Sequence, residues 1–270
     1  MNKHIKNYLN SFQFKQKYWY TLIIDGLTFL FITLLFLGLG KILELKAYAI
    51  SQGKSTEELK ALLLAGSVET NKLFMANTRA FVFYFVFGVI IAIILAFMIY
   101  SFSRSIVWNK LLKQKFSWKK FRKWNGLAVL LTFFFFIYMV FYYVVKMLLP
   151  APTTDFYFIL NGIIGSIIVL SFMVFFFLVN YSFATEHKVW LSIGNTFHLI
   201  KLNWKRLWKM FVLALTTWLL LKVLLNYIHV WFKIIPQELL STIISTTLSL
   251  LFLVWLRLYL LKTIHRREAT

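Results

Sequence analysis

Six long apolar stretches constrain this chain more than any other feature: residues 20–40, 81–102, 126–149, 156–184, 207–228 and 239–261. Each meets the roughly 20 residues a helix needs to cross a hydrocarbon core of about 30 Å. A membrane barrel would need short alternating segments, and these runs do not alternate. Composition agrees, with 60% hydrophobic and 14% charged residues against about 25% charged in a soluble domain. The fold class predicted is all-α: a polytopic integral membrane protein of one domain, 1–270, with six transmembrane helices. The first run is longer than a signal-peptide core, is interrupted by Asp25 and lacks a cleavage site after it, so it is expected to remain as span one. No cysteine is present, which excludes disulfides and thiolate metal sites.

The net charge of +21 is distributed by loop. Between Ser103 and Trp124 lie Arg104, Lys110, Lys113, Lys115, Lys119, Lys120, Arg122 and Lys123, without an acid. Lys188, Lys201, Lys205, Arg206 and Lys209 follow span four, and Lys3, Lys6, Lys15 and Lys17 precede span one. The connection 41–79 instead mixes six bases with four acids. Basic loops stay cytoplasmic, which predicts a cell-membrane protein with both termini inside. Anionic lipid headgroups are the expected partner, at about 1 kcal/mol per nearby Lys or Arg. A nucleic-acid partner is not expected, and a protein partner or homo-oligomer is left open.

Two of these loops open alike. Tyr100-Ser101-Phe102 is followed by Trp108, and Tyr181-Ser182-Phe183 by Trp190. Downstream, FSWKKFRKWNGLAVLL (116–131) matches LNWKRLWKMFVLAL (202–215), and FQFKQKYWYTLII (12–24) is a weaker third copy. The reading is three repeated hairpins, with Trp and Tyr at the headgroup boundary. Trp118, Lys119, Lys120, Arg122, Lys123, Trp124, Trp204, Lys205, Arg206 and Trp208 form the candidate anionic-lipid face. Segments 106–124 and 190–208 read as amphipathic interfacial helices on the cytoplasmic side, Trp190, Ile193 and Phe197 on one face and Ser192, Asn195 and His198 between. Loops with anchor residues are the alternative. Within 41–79, Ser55 and Glu58 form a capping box for a short external helix ending at Gly66. Pro150, Pro152 and Pro236 punctuate the other outer turns.

Gly88, Ala92 and Ala96 in span two, Gly162 and Ser166 in span four, and Ser241, Ser245 and Ser249 in span six recur at helical spacing. Small residues four apart let helices approach closely, so the even spans are expected at the centre, flanked by the odd ones. Asp25 lies about 10 Å from the inner end of span one and Arg257 about five residues from that of span six, at nearly matching depth, and the two are expected to pair across the chain's first and last spans. A structural staple is one reading of that pair and a polar route the other. Lys146 and Lys222 are expected to snorkel outward, and Asn161 and Asn180 to bond across helices. His187 and His198 are eleven residues apart, three helical turns or about 16 Å, too far for one ion. No catalytic, nucleotide or metal motif is present, so no cofactor, no metal and no enzyme activity are expected.

The segment SIGNTFHLIKLNWKRLWKMFVLAL (192–215) resembles a recurrent element of uncharacterised prokaryotic six-helix membrane proteins. These are related to the membrane domain attached to some glycerophosphodiester phosphodiesterases. The resemblance implies architecture only, since the soluble catalytic domain has no counterpart here. The function expected is a non-enzymatic membrane scaffold or lipid-interacting protein. The alternative is a small-solute transporter or channel with Asp25 and Arg257 in its polar route.

Overall fold

The computed structural model describes residues 8, 16–66, 68–148, 155–234 and 238–264, the side chains of 155–159, 229–234 and 238–239 excepted. Lys3, Lys6, Lys15, residues 12–15 of the third copy, Pro150, Pro152 and Pro236 lie outside the described residues. The described chain is all-helical: α1 Gln16–Ser51, α2 Thr56–Ala65, α3 Val68–Leu111, α4 Trp118–Met147, α5 Asp155–Glu186, α6 Val189–Ile234 and α7 Glu238–Ile264. All but α2 are long and apolar enough to cross a membrane. They outrun the apolar stretches because a helix needs only its own backbone bonds to continue into polar sequence.

The short helix α2 obeys its caps. Ser55 accepts from the Glu58 backbone N–H and the Glu58 carboxylate accepts from the Ser55 N–H at 2.8 Å. Hydrogen bonds from the Ser55 backbone and then its side chain hold the Glu58 carboxyl below its ordinary range. Gly66 ends the helix, where a Cβ would collide with the Leu62 carbonyl oxygen.

Two compact units divide the chain: residues 27–101 in one, and residues 1–26 with 102–270 in the other. In the smaller unit, a methyl added at Gly88 would stand 2.7 Å from Leu39 Cδ1, so α3 passes close to α1 there. Ala92 is buried and Ala96 half-buried, while Val82–Phe87 are all exposed.

In the larger unit, α5 packs against α4, α6 and α7, and α6 packs against α7. The best apolar window is 44% buried in α5 and 39% in α7, against 6–11% in the other four spans. Centrality therefore falls to spans four and six, and span two shares it only near Leu111. Its small residues lie in the other unit. From Phe177 to Ala184 every residue of α5 is buried. That stretch forms the heart of an aromatic core with Trp108, Trp124, Met210, Val254 and Leu256.

The first of the two expected interfacial helices is not a separate element. Residues 106–111 complete α3, a turn covers 112–117, and α4 starts at Trp118 and runs on through its span. Val189–Ile234 is two helices joined across a kink at the non-helical backbone of Asn203 (φ −111°, ψ 15°), so a helical arm 189–202 precedes the span and ends short of the expected 208. The arm ahead of that break is amphipathic in an inverted sense. Ser192, Thr196 and Asn203 are buried, and Trp190, Leu191, Phe197 and Leu202 are exposed. The buried polar side chains satisfy themselves on their own helix. Ser192 donates to Lys188 O (2.5 Å), Thr196 to Ser192 O (2.7 Å) and Asn203 to Leu199 O (3.1 Å). Small polar residues pack closely at no hydrogen-bonding cost, which leaves the large apolar ones outside.

Candidate functional site: a buried ionic cluster and an aromatic, basic rim

Asp25 sits on α1, Arg104 on α3 and Arg257 on α7, each of the three side chains no more than 7% exposed. Arg257 Nη2 donates to Asp25 Oδ2 at 2.8 Å, and Arg104 Nη2 donates to Asp25 Oδ1. The carboxylate is thus shared between two guanidinium groups, one on each oxygen. Arg257 also lies over the Phe177 ring, 5.0 Å from its centre, a contact worth about 0.5–2 kcal/mol as desolvation increases. Arg104 Nε donates to Ser103 Oγ at 3.3 Å. The Tyr18 hydroxyl adds a second tie from α1 to α7, donating to Leu251 O at 3.0 Å.

The expected Asp25–Arg257 pair is therefore a three-residue cluster. Sequence reasoning missed Arg104 by treating it as the first base of a loop. The legible signal was helical continuity: nothing between Phe102 and Leu111 breaks a helix, so Arg104 belongs to the span. Arg104 and Arg257 each stand seven residues before the last residue of their helices, Leu111 and Ile264, which brings both to the depth of Asp25.

The rim residues divide. Trp118 (68%), Trp204 (59%) and Trp208 (55%) are exposed, as are Lys119, Arg122, Lys123, Lys205 and Arg206. Lys120 is half-buried and donates to Gln114 Oε1 at 3.3 Å, and Lys123 donates to His187 O at 3.1 Å. Trp124 does not belong to this face. It is 2% exposed and packs edge-on against Phe183, ring centres 4.6 Å apart, because its helical position points it at the buried heart of α5. Exposed Trp204 and Trp208 instead stack in series onto half-buried Phe211 along α6, with centres 6.2 and 6.0 Å apart.

Among the packing candidates, Ser166 and Ser241 are buried, and Ser245 and Ser249 half-buried. Gly162 makes no close approach, since an added methyl would meet nothing described within 4 Å; its carbonyl instead accepts from Ser166 Oγ at 2.6 Å. Asn180 does not bridge helices either, because its amide donates within α5, to Phe176 O at 2.8 Å. Asn161 is half-buried, and Lys146 is exposed in the last turn of α4.

No family model matches this chain, and no curated protein or solved structure is found to be similar to it.

Proposed function

We propose that this protein is a non-enzymatic, membrane-embedded scaffold that binds anionic lipid headgroups at its basic end. The observation that carries the reading is the stack of exposed Trp204 and Trp208 on half-buried Phe211, interleaved with exposed Lys201, Lys205, Arg206 and Lys209. Indole rings rest at the headgroup level while the adjacent cations meet lipid phosphates. The basic end is cytoplasmic in this proposal, with both termini there and the six helices arranged as three hairpins in the cell membrane. The arm 189–202 lies near the interface, its exposed Trp190 and Phe197 turned towards lipid.

A solute route through Asp25 and Arg257 has less to support it. Both side chains are held in a cluster that occupies each carboxylate oxygen.

Native mass spectrometry of the full chain, released from mixed zwitterionic and anionic lipid, tests the proposal. The wild type should retain anionic phospholipid. The double variant Lys205→Gln with Arg206→Gln should lose about thirtyfold in retention, from about 1 kcal/mol per removed charge. Equal retention of both lipid classes by the wild type would overturn the reading.

A further inference from the structure

Lys222 was expected to snorkel towards the nearer end of its span, and it does the opposite. The apolar stretch of α6 ends six residues further on, at Ile228, about 9 Å away along the axis. Helical side chains lean towards their own N-terminus, and Lys222 follows that rule. Its ammonium lies over the ring of Trp218, four residues back, 5.8 Å from the centre. There Nζ donates to Ser166 Oγ of α5 at 2.8 Å. The charge is directed away from the nearer surface and into the gap between two spans.

The surroundings supply one neutral acceptor, Ser166 Oγ, and one free donor, and no countercharge. Ser166 spends its own hydrogen on Gly162 O. Trp218 Nε1 is buried with no hydrogen-bond partner among the described residues. No carboxylate among the described residues forms an ion pair with Lys222. Asp155 begins α5 eleven residues before Ser166, about 16 Å along the helix, beyond a lysine's reach. A lysine charge inside a span is costly unless it is compensated.

We propose that Lys222, Ser166 and Trp218 form an intramembrane binding site for one small monovalent anion. One ammonium calls for one countercharge. The Trp218 ring is itself packed on Phe252 with centres 4.9 Å apart, so a small anion fits the proposal better than a large organic one. Ser166 fixes the ammonium, and the indole N–H is a second donor. The site is independent of the lipid-binding rim.

The test is thermal unfolding of the full chain in zwitterionic nanodiscs, with chloride or bromide titrated against gluconate at constant ionic strength. The wild-type midpoint should rise saturably with halide. Lys222→Met should unfold at a higher temperature than wild type in gluconate and show no halide response. Lys222→Arg should keep the response. Ser166→Ala should raise the half-saturating halide concentration about tenfold, as expected for losing a hydrogen bond to a charged group. A wild type indifferent to halide, as a neutral amine would make it, overturns the proposal, and so does a halide response that survives in Lys222→Met.

Discussion

From Tyr100 to Trp108 the chain stays helical, and α3 turns only afterwards, at Lys113 (φ 56°), with Gln114 N–H bonded back to Asn109 O at 2.8 Å. From Tyr181 to Trp190 there is one residue more, and the helix ends inside the segment, at His187 (φ 55°), whose N–H bonds to Phe183 O at 2.8 Å. Trp108 is accordingly 1% exposed and packs against Tyr181, ring centres 6.2 Å apart, whereas Trp190 is 77% exposed. Where the turn falls decides whether the same Tyr-Ser-Phe and Trp pattern closes a core or starts a surface arm. The buried version carries Arg104; at the matching offset from tyrosine the other carries exposed Thr185.

The largest expected effect comes from the charge that the buried version holds. Asp25→Asn should destabilise the protein by about 3–5 kcal/mol, because it strands two guanidinium groups in a packed interior. Reversible unfolding in a bilayer mimic measures it. Exchanging Asp25→Arg with Arg257→Asp would rescue a simple pair. Here it should fail, because it puts a guanidinium at position 25 beside Arg104.

The two tryptophans should differ almost as sharply. Trp108→Ala is expected to cost about 3–5 kcal/mol through the cavity it leaves. Trp190→Ala should stay within about 0.5 kcal/mol, as an exposed substitution away from special features. Equal effects in the same unfolding assay would break the comparison between the two segments.

The smallest effect lies at the turn itself. Burial, then the charges of Lys120 and Lys123, hold the His187 imidazole below its ordinary value of 6.5. The folded protein therefore resists protonation that the unfolded chain accepts. The stability His187 contributes is complete above about pH 6.5 and is lost as pH falls through its lower folded value. An NMR titration should place the midpoint below 6.5. Lys120→Gln with Lys123→Gln should move it upward.

Local rules made parts of this molecule legible in advance. Six apolar runs announce six long helices, because a backbone in hydrocarbon must bond to itself. Ser55, Glu58 and Gly66 announce α2, because caps act within one turn. Asp25 and Arg257 stand out as charges in apolar runs, and their partnership could be read from matching depth. Other features depend on contacts between residues far apart in the chain, and these only the tertiary structure decided. Arg104 became the third member of the cluster because α3 continues past its apolar stretch. Trp124 went to the core, and Ser192 and Thr196 turned inward, because neighbouring helices needed close-packing surfaces there. Lys222 found Ser166, 56 residues away, because α5 and α6 pack side by side. Periodicity tells a residue which face of its helix it occupies; in a chain surrounded by lipid it does not tell which face the other helices will cover, since polar and apolar no longer mean outside and inside.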